Sequence, residues 1–381
     1  MMAPHAGLER RVLAALEASP ARIPVVIGGC GTGRTTLLHA LGDRMGRDQS
    51  QYIDVERAAS TPERFHRALM AATPFRLNDT AASSDVTSAR GAFDRTLALL
   101  GRARAANDAP ATFLLDEVLE LRTFESFPGL RHVLREMLQV LADSGNRFVL
   151  TTRYVARAHR LLRDGHPRFE VIHLPQLNAA EVTAMLPPMG DTAAEDRDYL
   201  GRAIQALADG RAAYVRALGE STGSMSGRGG DPISALTALL TGEGALASWC
   251  AHRYELRLHK ARGYGALKAI LEILADEEPL TLTEVAHRLH RTPGSTKDYL
   301  SWLEDVDLIV SRQKRYSFAD PLMRLWVRLH CRPMPPSVDE VAREVQAYAL
   351  ARLPQPEPAL EMAGTAVVAG YRKDNGIIEI D

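Results

Sequence analysis

The sequence predicts an α/β chain: a parallel sheet wrapped by helices, then a small all-helical region, then a helix-turn-helix with two short strands. Three observations predict it. Short apolar runs alternate with helix-spaced segments as far as Leu174, the pattern of a parallel sheet whose crossovers are helices. A glycine-rich stretch follows the first of those runs, and strand-like runs vanish after Leu177 until the C-terminal third. At 381 residues the chain exceeds the ~100–200 residues of one ordinary domain. The expected divisions are a core over 1–175, a helical lid over 176–250, a winged-helix unit over 251–335 and a tail over 336–381.

Leu8, Val12, Leu13 and Leu16 recur at helical spacing and predict an opening helix that ends before Pro20. Candidate strands are Ile23–Ile27, Gln51–Val55, Thr112–Asp116, Arg147–Thr151 and Glu170–Leu174, with helices over Pro62–Ala72 and Leu130–Asp143 between them. The Ser/Thr/Ala-rich run Asn78–Arg90 reads as an exposed loop, and the polar, glycine-rich run Ser221–Pro232 as a mobile excursion. Asn178 with Glu181 has the spacing of a capping box at the start of the helical region.

Composition excludes several classes. Lys+Arg 46 against Asp+Glu 47 leaves no global pull toward nucleic acid or an anionic membrane. Cys30, Cys250 and Cys331 are too far apart in sequence for a CxxC zinc pair, and suit a reducing compartment. No apolar run approaches the ~18 residues of a membrane span, and the N-terminus lacks the apolar centre of a secretion signal, so a cytoplasmic location is expected.

The chemistry concentrates in "IPVVIGGCGTGRTTLLHAL", Ile23 to Leu41. An apolar strand runs into Gly28, and Gly31 and Gly33 lead to Arg34-Thr35-Thr36 at the start of a helix. Glycines let successive backbone N–H groups curl around a phosphate, and the helix N-terminus adds partial positive charge. The pattern predicts a P-loop NTPase core that binds ATP and Mg2+, with Thr35 as a metal ligand. Arg34 stands where the motif calls for lysine. Arginine keeps the charge but brings a planar fork, so phosphate binding is expected to survive with slower hydrolysis.

A second apolar run, "ATFLLDE", delivers Asp116 and Glu117 to the edge of the sheet where ligands sit. Asp116 is the candidate second magnesium ligand, and Glu117 the candidate base for the attacking water. The strand "RFVLTT" ends in Thr151-Thr152, with Thr152 a candidate sensor of the terminal phosphate; Arg153, Arg157 and Arg160 follow. Arg211 is the candidate contact from the helical region. Cys30 lies inside the loop, where its oxidation would block phosphate access.

The loop, "FLLDE", the "VLTTR" strand end, a helical lid and a winged helix occur in the order found in AAA+/STAND-like ATPases often called archaeal-type ATPases, and the chain resembles them over roughly residues 8 to 332. The likeness is most specific at the back, where Tyr316, Asp320-Pro321 and Trp326 stand in a segment similar to that family's winged helix. The resemblance implies an ATP-dependent molecular switch. Proteins of this build often oligomerise, with a neighbour's arginine completing the site, so a homo-oligomer is a candidate state. The segment "GYRKDNGIIEID" resembles the opening of a nuclease-like domain of some members, but the sequence lacks the downstream Glu-x-Lys for its metal site, and no nuclease activity is expected.

Whether the winged helix reads DNA is left open by its charges. The expected recognition helix starts at Ser295 or Thr296, and "STKDYLSWLED" holds one Lys against two Asp and one Glu, poor chemistry for base or phosphate contact. Arg288, Arg291, Arg312, Lys314 and Arg315 offer a basic rim. DNA and a protein partner are equal alternatives at this level, as are a slow ATPase and a scaffold that does not hydrolyse nucleotide.

Overall fold

The computed structural model describes residues 6–76, 88–163, 165–187, 194–224, 230–260 and 263–353. In the first half, α1 (Ala6–Glu17) precedes β1 (Ile23–Ile27), α2 (Arg34–Met45), β2 (Ser50–Asp54), α3 (Val55–Ala58), α4 (Pro62–Ala72) and α5 (Ala89–Arg102). Then come β3 (Thr112–Asp116), α6 (Val133–Asp143), β4 (Arg147–Thr152), α7 (Val155–Leu162) and β5 (Phe169–His173). The five strands form one parallel sheet in the order β2-β3-β4-β1-β5. Successive side chains on a strand face opposite ways, so Phe113, Leu115, Phe148 and Leu150 enter one core with Phe65, Phe93 and Phe124. Leu114 and Val149 enter the other, under α1 and α2.

Register decides where the ends of the strands fall. Ile27 pairs with Thr152 and with His173, Asp54 pairs with Asp116, and Leu115 pairs with Leu150. The turn after β1 therefore shares one sheet edge with Asp116, Glu117 and the end of β4, the edge where ligands bind in open parallel sheets.

The second half is helical but for three short strands. It contains α8 (Ala179–Met185), α9 (Ala194–Ala208), α10 (Ala212–Ser224), α11 (Pro232–Leu240), α12 (Ala245–His259) and α13 (Tyr264–Asp276). After these come β6 (Leu280–Thr281), α14 (Leu282–Arg288), α15 (Pro293–Asp305), β7 (Ile309–Arg312), β8 (Arg315–Phe318), α16 (Pro321–His330) and α17 (Val338–Leu350). An antiparallel sheet of order β6-β8-β7 backs α14 and α15. Buried residues from Leu177 to Ala349 form one apolar cluster, so the helical region and the helix-turn-helix unit share a core.

Several local expectations are met with shifts. The Asn178–Glu181 capping box is present. Thr292 caps α15, with Pro293 in its first turn, in place of Ser295 or Thr296; Thr296 is buried and its hydroxyl donates to Thr292 O at 3.0 Å. The expected tail opens with α17, capped by Ser337 and Glu340, whose Val341, Val345 and Ala349 are buried at helical spacing against α11 and α16. The nuclease-like segment, and residues 78–87 and 225–229 of the two loop-like runs, lie outside the described residues; Ser88 caps α5, Ser221–Ser224 complete α10 instead of opening an excursion, and Asp231 caps α11.

Candidate nucleotide site

The loop between β1 and α2 is shaped by two left-handed glycines, Gly31 at φ 80° and Gly33 at φ 106°. A side chain is strained in that region, and space is short as well: a Cβ on Gly31 would lie 3.3 Å from Ala213 Cβ and 3.4 Å from the Trp249 ring. Ala213 N donates to Gly31 O at 3.0 Å, so the helical half is seated on the loop. Beneath lies a cavity of about 380 Å³ lined by Gly31, Gly33, Arg34, Thr35 and Thr36 on the loop side and by Asp116 and Glu117 opposite.

Arg34 begins α2 and turns its guanidinium back under the loop. Nη1 donates to Gly28 O and, at 2.5 Å, to Gly29 O, while Nη2 donates to Glu117 Oε1 at 2.5 Å. Glu117 holds a left-handed conformation at φ 56°, and its Oε2 accepts from Arg153 N at 3.0 Å. Burial pushes the Glu117 carboxyl up, but Arg34 and Arg153 outweigh it and its pKa is lowered. Burial likewise opposes the Arg34 charge, and Glu117 overcomes it, so the Arg34 pKa is raised. Both residues stay ionised as a pair.

Asp116 collects hydroxyls. Thr35 donates to its Oδ2 at 2.6 Å and Tyr52 to the same oxygen at 3.1 Å, while Thr151 donates to Oδ1. Thr151 Oγ1 also accepts from Glu117 N at 3.1 Å, tying the ends of β3 and β4 together. Burial and Asp116 raise the Tyr52 pKa, so the phenol remains a donor.

Arg153 anchors a second cluster on the same edge. It grips Glu56 through Nη1 at 2.9 Å and Nη2 at 2.5 Å, and pairs with Glu120. Lys260, just past α12, reaches Glu56 at 2.9 Å and Glu120 at 2.8 Å. Burial pushes Glu56 up, but Arg153 and Lys260 bring it down to about 2. Farther along α7, Arg157 at 3.0 Å and Arg160 both pair with Asp305 at the end of α15. The helix leaving β4 is thereby clasped to the helix-turn-helix unit.

Two expected ligands are placed elsewhere. Thr152 is buried and its hydroxyl accepts from Tyr154 N at 3.2 Å, capping the turn into α7; its neighbour Thr151 contacts Asp116 instead. Arg211 spends its terminal nitrogens on carbonyls, donating to Cys30 O at 2.9 Å and Ala319 O at 2.5 Å, with Asp320 at 3.6 Å. It staples the outside of the loop rather than lining the cavity. The residues that line the cavity from the helical half are Ala212 and Ala213, His252 and Leu256, and three arginines, Arg216, Arg253 and Arg257. Sequence reasoning missed these arginines, although Arg253 and Arg257 stand at i, i+4 on α12 and so share a face. Cys30 also borders the cavity; burial pushes its thiol up, yet Arg257, Arg253, Arg153 and Arg34 outweigh burial and lower its pKa.

A Walker-type ATPase of Pyrococcus abyssi superposes with a TM-score of 0.62 over 85% of this chain and 95% of that one, at 18% identity. The chain has the fold of an archaeal-type P-loop ATPase. Looser superpositions place this P-loop ATPase fold beside the Orc1 protein of Aeropyrum pernix in complex with DNA, at TM-score 0.45, 18% identity and coverage of 90% and 93%. A STAND protein with a tetratricopeptide repeat sensor from Pyrococcus horikoshii gives TM-score 0.35, 14% identity and coverage of 92% of this chain and 45% of that one. No family model and no curated protein matches the chain. Among the described residues no helix is long and apolar enough to cross a membrane.

Proposed function

We propose that the chain is an ATP-binding switch with slow hydrolysis, in which nucleotide sets the contact between the sheet core and the helical half. The observation that carries this reading is the Arg34–Glu117 pair, which fastens the cation of the phosphate loop to the acid suited to activate water. A base must have an open lone pair within hydrogen-bond reach of water, and Glu117 spends one oxygen on Arg34 and the other on Arg153 N. Phosphate oxygens compete with Glu117 for Arg34, because guanidinium binds both kinds of oxyanion in the same forked manner. Binding therefore loosens the pair, and turnover waits on that exchange.

Thr35 and Asp116 supply the hard oxygen donors that suit Mg2+, and they already meet at 2.6 Å. When bound, the metal would neutralise charge on the phosphate chain. Thr151 and Tyr52 hold the Asp116 carboxylate in place for that role.

The effector reading favours a protein partner for α15. Its exposed positions Lys297, Asp298 and Ser301 carry cancelling charge, unlike a helix that follows phosphates. DNA contact through Arg312, Lys314 and Arg315, all exposed around the β7–β8 turn, is the second reading. Equilibrium binding of labelled ATP with Mg2+, followed by single-turnover phosphate release, tests the switch: retention with slow release supports it, and no retention at millimolar nucleotide ends it. A salt titration with duplex DNA separates the effector readings, since phosphate contact makes affinity fall steeply with salt.

A further inference from the structure

We infer that the cavity recognises a polyphosphate chain through guanidinium groups supplied by both halves of the molecule, with Arg253 as the contact from α12, and that it does not select the base; this rests on the nucleotide-binding reading above. The lining contains five arginines, Arg34, Arg153, Arg216, Arg253 and Arg257, the last three from α10 and α12. Four carboxylates share it, but each is already engaged within the protein. Asp54 caps α3 by accepting from Arg57 N, Glu56 is held by Arg153 and Lys260, Asp116 by three hydroxyls, and Glu117 by Arg34.

Arg34 and Arg153 each leave a buried Nε unpaired but spend their terminal nitrogens on protein acceptors, whereas Arg253 leaves a terminal nitrogen, Nη1, buried with no hydrogen-bond partner, an arrangement that is costly unless a ligand completes it. The guanidinium lies 3.3 Å above the Trp249 ring, which fixes its plane. A Cβ on Gly31 would sit 3.5 Å from Nη1, so the unpartnered donor borders the loop itself. The carboxylates lining the cavity are spoken for, and an incoming oxyanion is the matching chemistry.

Base recognition needs a flat apolar slot with a few placed polar groups. Among the described residues the lining holds no Asn, Gln, Phe or Trp; its apolar side chains are Ala212, Ala213 and Leu256, and its imidazole, His252, is an exposed residue rather than the wall of an enclosed slot. Tyr52 is committed to Asp116 and packs at a 37° tilt against His39 with centroids 4.3 Å apart. The outer side of the loop is covered too: a Cβ on Gly29 would lie 2.9 Å from Arg211 Nη1, and one on Gly28 3.1 Å from Leu174 Cβ. At about 380 Å³ the space is near the low end of ligand pockets, which run from roughly 300 to 1,000 Å³.

Competition against labelled ATP on the full chain with Mg2+ tests this, using GTP, CTP and inorganic tripolyphosphate as probes. The expected result is displacement by all three with dissociation constants within about fivefold of that for ATP. Arg253→Ala should weaken ATP and tripolyphosphate alike by about tenfold, and Arg253→Lys should recover part of the loss. If ATP is retained but GTP and tripolyphosphate fail to displace it at about a hundredfold excess, base-blind recognition is overturned while ATP binding stands. Unchanged affinity in Arg253→Ala removes Arg253 from the site. No retention of ATP at all overturns the nucleotide reading beneath it.

Discussion

Arg34 Nη2 and Glu117 Oε1 lie 2.5 Å apart with side chains only 8% and 9% exposed. Each neutralises the other in a place where an unpaired charge is expensive, since breaking a buried pair by removing one partner typically costs about 3–5 kcal/mol. The glycine loop after β1 and the acid that follows β3 are thus locked together through Arg34, and that lock generates the first predictions.

Replacing Glu117 by Gln leaves Arg34 buried without a counter-charge. Thermal stability without nucleotide should fall, by about 3 kcal/mol if the amide compensates little. Mg-ATP should restore more stability to Glu117→Gln than to the wild type, because phosphate supplies the missing anion. With Glu117 acting as the general base, as proposed, phosphate release should drop about a hundredfold. Equal ATP-induced shifts in melting temperature for the two proteins would show that Arg34 does not exchange partners.

In Arg34→Lys, a single ammonium on a thin stem replaces a fork that bridges Gly28 O, Gly29 O and Glu117 at once. Glu117 is then less constrained. Single-turnover phosphate release should rise about tenfold, equivalent to ~1.4 kcal/mol off the barrier. A variant no faster than wild type, with Glu117→Gln equally silent, favours a scaffold that holds nucleotide without cleaving it.

Gly33→Ala probes the loop itself. With φ at 106°, an L side chain there costs about 1–2 kcal/mol. Both the melting temperature and ATP affinity should fall, and a loss of affinity without loss of stability would mean that the alanine blocks phosphate rather than straining the turn.

The clasp on α7 should behave differently. Arg157, Arg160 and Asp305 are partly solvated, at 20%, 48% and 18% side-chain exposure, so Asp305→Ala should cost no more than about 1 kcal/mol. Its effect should appear in hydrogen exchange, with faster exchange at the start of α7 and the end of α15 while the sheet stays protected. Unaltered exchange in both helices would deny the clasp any part in docking the two halves.

Acid should open the Glu56 cluster late. Its folded-state pKa of about 2 lies below the ordinary 4.5, so the ionised form is favoured by folding. The stabilisation it contributes is complete above pH 4.5 and is lost as pH falls toward 2. Glu56→Gln should flatten the stability profile over that window, as read from denaturant midpoints at stepped pH.

What the sequence determined by itself is local. Apolar runs bounded by turn residues specified the strands, with Thr112–Asp116 and Ile23–Ile27 falling where they were expected, because a buried parallel strand must be apolar on both faces. Gly31 and Gly33 marked the loop because left-handed backbone favours glycine, and Asn178 with Glu181 marked a helix start through hydrogen bonds made within one turn. The tertiary structure alone decided which charged groups meet. Arg34 and Glu117 are 83 positions apart, and they meet because strand register sets the end of β3 beside the loop. Arg211 was the candidate contact from the helical region, and its terminal nitrogens dock against Cys30 O and Ala319 O, while Arg253, which the sequence did not single out, lines the cavity. Thr151 reaches Asp116 while Thr152 accepts from Tyr154 N, because adjacent strand residues point to opposite sides. Periodicity encodes which face of an element is buried; the partner across that face depends on how separate elements pack, and that information is spread along the whole chain.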